Sequence, residues 1–508
     1  MTVHGMLAAT VSSRPDAPVL THGETTWSYQ DLDRATDCVA RFLLSHGVAR
    51  GDRVALLMDN GFEYVAAMFG ILRAGGCVVA LNHQNPPGSH EHHLIDSGAV
   101  VLLTRAAQAR RLPEIVTAET NVRVVAVDRV NPQWQFEAKL VVGDEYLDGP
   151  ATLPPETTDT DLALILYTSG STGNPRGVTL THGNLTANTE QILAYLKLTA
   201  DDSVCCVLPF HYSFGNSLLL THISCGGRIV VDNRFAFPQK VLETLEREQC
   251  TGFSGVPSHY SILAARTDFL ERDWPHLRYL TQAGGAMSPS LTRQIHTALP
   301  DSIQLFVMYG QTEAGARLAW LPPEHLPAKI GSIGVAIPGV SLTVRRADGH
   351  ECDQGETGEI VASGPNIMQG YWNDRAETEL VLFPDGLHTG DLAEVDEDGF
   401  LFIVGRVKTM IKAGANRVSP RQIEDVILEL DSVAEAAVFG VPDELLGEAI
   451  VACVVAIPDT ELDVKFILRH CQKHLAAFKI PGVVHVIDEL PRNAAGKTDV
   501  GALLVRFA

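Results

Sequence analysis

The stretch Tyr167-Thr168-Ser169-Gly170-Ser171-Thr172-Gly173-Asn174-Pro175-Arg176-Gly177-Val178 follows directly on the apolar run Leu162-Ala163-Leu164-Ile165-Leu166. The run reads as a buried strand and the hydroxyl- and glycine-rich residues after it as a loop on the strand's end. Glycines let the backbone turn sharply and bring its N–H groups close to an anion. Thr168, Ser169, Ser171 and Thr172 add hydroxyl donors, and Arg176 adds a fixed positive charge. The combination predicts a cradle for a triphosphate. It is not a Walker A loop, because counting from Gly170 puts Pro175 where the second glycine belongs and no Gly-Lys-Ser/Thr ending follows.

On the N-terminal side of this loop, helical and strand periods alternate. Ser28 is placed to cap a helix running through Leu32, Ala35, Val39 and Phe42. Gly51-Asp52-Arg53 turns into the strand Val54-Ala55-Leu56-Leu57, and a helix around Tyr64 to Leu72 ends at Gly75-Gly76 before the strand Cys77 to Leu81. Such alternation predicts parallel sheets with helices on their faces. The polar connector Leu153 to Thr158 predicts that the phosphate loop opens a new sheet segment. A second alternation runs from Ser203 to Leu321. Between Gly331 and Gly405 short strands and tight turns, such as Ala347-Asp348-Gly349 and Pro384-Asp385-Gly386, predict a small barrel-like β unit. Beyond Arg406 the pattern is α+β: a helix at Pro420 to Leu430, strands at Ala434 to Val441 and Glu448 to Ile457, and a helix at Val464 to His474.

A chain of 508 residues is too long for one core. Its 39 basic and 61 acidic residues give a net charge of −22, a surface that repels phosphate backbones and argues against nucleic acid as a partner. Any ATP bound here needs local positive potential, expected from Arg176, Arg406 and Lys497. The start, Met-Thr-Val-His-Gly-Met-Leu, lacks the basic region and apolar core of a signal peptide, and no run approaches a membrane span, so cytoplasmic residence is the default expectation. The nine cysteines show no Cys-x-x-Cys pair and read as buried free thiols. His83, His90, His92 and His93 fit no common metal spacing and read as neutral imidazoles on a solvated helix face.

Five further segments appear in a fixed order: Pro209-Phe210-His211-Tyr212-Ser213-Phe214-Gly215, Tyr309-Gly310-Gln311-Thr312-Glu313, Thr389-Gly390-Asp391, Gly405-Arg406-Val407-Lys408, and Asn493-Ala494-Ala495-Gly496-Lys497. Together with the loop they resemble the core motifs of the adenylate-forming superfamily, which contains acyl-CoA synthetases, adenylation domains of peptide synthetases and beetle luciferases. The likeness reaches from Thr26-Trp27-Ser28-Tyr29 to Lys497. It implies an α/β fold with a large N-terminal domain over 1–405, made of helix-flanked sheets and the barrel-like β unit, and a mobile α+β lid domain over 406–508. One departure is Arg176, where the family more often has lysine: a planar fork replaces a compact point charge.

The resemblance also implies the chemistry. A carboxylate attacks the α-phosphorus of ATP, pyrophosphate leaves, and the acyl-adenylate is then open to a thiol, with positioned cations and donors supplying most of the catalysis. Lys497 is implied to bridge the substrate carboxylate and the α-phosphate, and Glu313, with Thr168 nearby, to hold Mg2+. The nucleotide is implied to contact Thr168, Ser169, Gly170, Ser171, Thr172, Gly173 and Arg176 through its phosphates. Its adenine would lie between Gly284-Gly285-Ala286 and Tyr309-Gly310, beside Gln311 and Thr312. Asp391 would accept from the ribose hydroxyls, with Arg406 a second ribose or phosphate contact. The acid would lie among His211, Tyr212, Phe214, Ser217, Val256, Ser258, Ala283 and Met308, with His211 as a gate against its carboxylate. Arg317 is a charge placed to meet a second carboxylate or a phosphate. Lys408 occupies the hinge position and Gly414 the approach of the incoming pantetheine.

Amino-acid-adenylating relatives place an aspartate near the start of the pocket helix, but Phe210 to Leu220 contains no acid, which weighs against an α-amino acid substrate. The closing segment Leu490 to Lys497 is more similar to acyl-CoA synthetases than to peptide synthetases. The leading expectation is therefore an AMP-forming ligase that makes an acyl-CoA. The alternative is a stand-alone adenylation enzyme that loads a carrier protein's phosphopantetheine in trans. A nucleotide sensor without turnover is disfavoured by Lys497, Glu313 and Asp391 together, and no residue advertises the oxidisable substrate of a luciferase.

Overall fold

The computed structural model describes residues 1–105, 115–116, 119–120, 122–127, 138–139, 156–169, 175–413, 416–430, 432–443, 447–457, 460–492 and 498–507. An eight-stranded sheet runs in the order Gly370–Tyr371, Pro175–Thr181, Leu162–Ser169, Cys77–Ala80, Arg53–Leu57, Val101–Thr104, Arg123–Ala126, Ala138–Lys139. The strand that carries the phosphate loop pairs in parallel with Cys77–Ala80 and antiparallel with Pro175–Thr181. That corrects the expectation of a new sheet segment: Leu164, Ile165 and Leu166 join Val78, Val79 and Ala80 inside the first sheet, where an apolar strand buries both faces.

A nine-stranded sheet is built mainly from the second alternation, with Gln304–Tyr309, Tyr279–Gln282, Gly252–Gly255, Ser203–Cys206, Arg228–Val231 and Pro18–His22 as a parallel run. Three of its four-residue inner strands, Ser203–Cys206, Gly252–Gly255 and Tyr279–Gln282, are buried at every position. Helices Val3–Ser13, Tyr29–Ser45, Phe62–Arg73, His182–Leu196 and Ser213–Cys225 contribute to one core that includes Val204 and Ile229 of this sheet and Val54, Val78 and Leu164 of the other. Ser28 caps Tyr29–Ser45 as expected, with Asp31 returning the bond in a capping box. A second core lies under Pro238–Arg247, Pro257–Arg266 and Pro289–Ala298. The layers alternate helix and sheet, the arrangement predicted by the sequence periods.

Residues Ser341–Arg345, Gly358–Ser363, Gly386–Val395, Leu382–Phe383 and Leu401–Arg406 form a five-stranded antiparallel sheet. Where the turn density predicted a barrel-like unit, the described residues form an open sheet, because Leu382–Phe383 pairs only with Gly386–Val395 and does not return to Ser341–Arg345. The last sheet joins Asn416–Val418, Ile411–Ala413, Gly447–Ala456, Val433–Asp443 and Val483–Val486, with helices Pro420–Ile427, Val464–His474 and Val500–Phe507. Its two cores draw only on residues between Ile411 and Phe507. All nine cysteines are free, and seven are buried. Among the described residues no helix is long and apolar enough to cross a membrane.

Candidate active site

Strands Tyr279–Gln282 and Gln304–Tyr309 end side by side, and a cavity of about 590 Å3 opens beyond them. The carboxyl ends of parallel strands are where open α/β sheets receive ligands. Gly284, Gly285, Ala286, Met308, Tyr309, Gly310, Asp391, Arg406 and Lys408 all line it, so the expected adenine slot and ribose contacts converge on one space. Gly284 has φ +84°, a backbone that disfavours any side chain, and Gln282 Nε2 donates to the Gly285 carbonyl at 2.7 Å. A Cβ on Gly310 would stand 2.0 Å from the Ala316 carbonyl oxygen, so only glycine lets the strand end pack there.

The Tyr309 hydroxyl donates to Asp391 Oδ2 at 2.6 Å, and Arg406 Nε donates to Asp391 Oδ1 at 2.6 Å. Burial, and then the Asp391 charge, push the Tyr309 phenol well above its ordinary pKa, so it stays a donor. Arg406 Nη2 also donates to Oδ2 at 3.4 Å, so both Asp391 oxygens are engaged and Oδ1, with one bond, retains a second lone pair for a ribose hydroxyl.

On the phosphate side, Thr168 pairs across the strands with Arg176. The Arg176 guanidinium forms a 2.6 Å ion pair with Glu377 and lies 5.5 Å from the centre of the Tyr371 ring. The Tyr371 hydroxyl in turn donates to Glu313 Oε1 at 2.9 Å. Arg176 is therefore neutralised by a carboxylate that the sequence reading did not connect to it. Thr312 approaches the Ser213 hydroxyl at 3.4 Å, and Gln311 leads into the same short turn. A carboxylate at Glu313 and a hydroxyl at Thr168 are hard oxygen donors of the kind magnesium takes. The Ser169 side chain, Gly170, Ser171, Thr172 and Gly173 lie outside the described residues, as do Gly414 and Lys497.

His211 is 5% exposed, and burial, followed by the neighbouring His83 and His90, holds its pKa down at about 3. It is a neutral imidazole at any ordinary pH. Tyr212 Oη accepts from Asn82 Nδ2 at 3.0 Å. Ser217 donates to the Phe214 carbonyl at 2.7 Å, so its hydroxyl serves its own helix. Phe214 lies under the Arg317 guanidinium at 4.0 Å, and Met308 Sδ accepts from the Tyr195 hydroxyl at 2.9 Å. Ala283 is buried, while Val256 and Ser258 are half-buried at the start of Pro257–Arg266.

The histidines of Pro87–Ser97 depart from expectation. His90 and His93 are buried instead of solvated, and only His92 faces out. His93 stacks on Tyr167 with ring centres 4.1 Å apart, and burial, then His90 and His92, lower its pKa to about 3. The helix packs on the end of the strand that carries the phosphate loop, which a local sequence pattern does not reveal. Sequence reasoning also missed Arg421, Glu424 and Phe439, which line the same cavity from the C-terminal unit. No local motif marks them, since they reach the cavity only through the docking of that unit. Lys408 is exposed in the turn after Leu401–Arg406.

Residues 7–372 match the family model described as AMP-binding enzyme, and residues 422–497 match the AMP-binding enzyme C-terminal domain. A feruloyl-CoA synthase of Amycolatopsis is 36% identical over 97% of this chain and 96% of that protein. A long-chain-fatty-acid–CoA ligase of Yersinia pestis is 34% identical over 95% and 90%. Among solved structures, the o-succinylbenzoate coenzyme A synthetase of Bacillus subtilis with ATP and magnesium superposes with a TM-score of 0.85 at 28% identity, covering 97% of this chain and 98% of that one. With residues of three of the motifs lining one cavity and both family models matched in order, the chain belongs to the AMP-binding, adenylate-forming family of enzymes, with acyl-CoA ligases among its relatives.

Proposed function

We propose that this protein joins a carboxylic acid to CoA in two steps. In the first, a carboxylate oxygen bonds to the α-phosphorus of ATP and the bond to the pyrophosphate oxygen breaks. In the second, the CoA sulfur bonds to the acyl carbon, AMP leaves with the electron pair of the acyl–oxygen bond, and the thiol proton is released. The observation that carries this reading is the single cavity bounded by Gly284, Tyr309, Gly310, Asp391 and Arg406, whose strand continues directly into Glu313.

In this reading Gly284 to Ala286 and Tyr309 hold the adenine, and Asp391, fixed by Tyr309 and Arg406, holds the ribose. Thr168 to Gly173 cradle the phosphates, with Arg176, Gln311 and Thr312 alongside. Glu313 and Thr168 would hold magnesium, which when bound neutralises phosphate charge. His211, neutral and buried, packs beside the reacting carboxylate without adding charge. Lys497 supplies the transition-state cation for adenylation. We place the domain boundary between Gly405 and Arg406, supported by the separate cores beyond Ile411. Lys408 is then the pivot and Gly414 the thiol approach. ATP and CoA are cytoplasmic metabolites, which favours that compartment.

A panel of acids, including α-amino acids, assayed for acid-dependent pyrophosphate release tests the first step. Repeating the assay with CoA and with a phosphopantetheinyl carrier protein tests the second. An α-ammonium group in a pocket helix that offers no carboxylate would be buried without a partner, at a cost of several kcal/mol. Non-amino acids are therefore expected to turn over about tenfold better than matching α-amino acids. Turnover of a common α-amino acid as the best substrate, or acyl transfer only to the carrier protein, would defeat the CoA-ligase reading.

A further inference from the structure

Arg317 is 3% exposed, and no carboxylate approaches its guanidinium within ion-pair distance among the described residues. What it meets is modest for a permanently charged fork of five donors. Its Nη1 donates to the Ala316 carbonyl at 3.1 Å, its face lies on Phe214 at 4.0 Å, and the Tyr195 oxygen faces it. Its Nε is buried with no hydrogen-bond partner. Burial of a guanidinium with one ring face and two neutral oxygens leaves the charge under-compensated, whereas the other buried Asp side chains described in the large domain each have an opposite charge close by: Asp202 has Arg278, Asp232 has Arg234 and Asp391 has Arg406.

The backbone around Arg317 is built to hold that charge in place. Its carbonyl accepts from Asn188 Nδ2 at 3.1 Å and from Asn366 Nδ2 at 3.0 Å, and its N–H donates to Asn188 Oδ1 at 3.3 Å. Gly310 packs its bare Cα against Ala316 and Arg317. The side chain touches one of the acid-pocket positions, Phe214, and its neighbour Tyr195 donates to the sulfur of a second, Met308. Met308 also lines the nucleotide cavity. A held, desolvated, unpaired cation beside the acid pocket is preorganised for an anion that arrives with the substrate.

We infer that Arg317 binds a second carboxylate carried by the acid, so that the preferred substrate is a dicarboxylic acid whose distal carboxylate docks on the guanidinium fork while the other end is adenylated. The inference rests on the acid–CoA ligase reading above and names its substrate class. A carboxylate matches the planar fork in geometry and takes up the free Nε–H. Phe214 keeps the pair dry from one side, which strengthens it.

The test uses the full-length enzyme and matched pairs: dicarboxylic acids of increasing length, aliphatic and aryl, each beside its half methyl ester, with acid-dependent pyrophosphate release as the readout. The wild type is expected to show kcat/KM about tenfold or more higher for the best diacid than for its half ester, because a site built for a charged group rejects the analogue lacking it. Arg317→Met should lose about a hundredfold on the diacid, chiefly through KM, and retain or gain on the half ester, while its KM for ATP stays unchanged. Arg317→Lys should keep part of the diacid preference, and this conservative variant, with the wild-type comparison, decides the matter if the methionine variant does not fold. Equal turnover of diacids and half esters by the wild type overturns the inference. So does an equal fall on both classes in Arg317→Met, which would make the arginine structural or a contact to the reacting carboxylate. Turnover of half esters but not diacids also overturns it while leaving the ligase reading intact, whereas no pyrophosphate release with any acid overturns both.

Discussion

The Tyr309 hydroxyl and the Asp391 carboxylate meet at 2.6 Å across 82 residues of chain, tying the end of strand Gln304–Tyr309 to strand Gly386–Val395. This bond joins the nine-stranded sheet to the open antiparallel sheet at the cavity, and with Arg406 it orients a carboxylate that is only 4% exposed. Tyr309→Phe removes one of the two restraints, so the KM for ATP in pyrophosphate release is expected to rise about tenfold, the cost of about one net hydrogen bond to a charged group. Asp391→Ala should cost clearly more, since it strips Arg406 and Tyr309 of their partner as well. A Tyr309→Phe enzyme with wild-type ATP affinity would show that the bond does not position the carboxylate.

In the proposed reading, Lys497 stabilises charge only while the adenylate forms. Lys497→Ala is expected to lose about a hundredfold or more in acid-dependent pyrophosphate release, yet to keep thioester formation from supplied acyl-adenylate. Measuring the two half-reactions separately checks this. Equal loss in both removes the assignment.

Lys408 stands exposed where the chain leaves Leu401–Arg406 for the C-terminal unit. Lys408→Pro fixes φ at the proposed pivot, so adenylation should stay near the wild-type rate while thioester formation falls steeply. If single-turnover measurements show both steps falling together, rotation about this residue is not what separates them.

Glu424 faces the cavity from helix Pro420–Ile427, and its Oε1 accepts from the Val438 N–H at 2.8 Å. Burial raises its pKa to about 7, and Asp425 adds to the rise while the Val438 N–H and Arg421 oppose it. The folded protein therefore holds a proton that the unfolded chain gives up once the pH passes its ordinary value. Stability should fall as pH rises from about 5 to about 7, by about 1 kcal/mol per pH unit at most, and level off above. Glu424→Gln keeps the acceptor without the titration, so urea unfolding of the variant should lack this slope. Parallel pH profiles for the two proteins would assign the slope to other groups.

Most helices and strands, and the order of the motifs, can be read from the local pattern of the chain. The strand end at Thr168, the turn at Gly284, and the strands of Tyr309 and Asp391 were legible because short-range rules act on them, as they do on the capping serine Ser28 and on the apolar periods of strand and helix. The tertiary structure decided the electrostatics. That Arg176 is neutralised by Glu377, that His90 and His93 are buried, that Arg421 and Glu424 reach the cavity beyond Gln304–Tyr309 and that Arg317 has no counter-charge among the described residues all depend on which distant segment packs where. A side chain's charge is written in the sequence, but its energy is set by the dielectric and the partners around it, and those exist only once remote parts of the chain have come together.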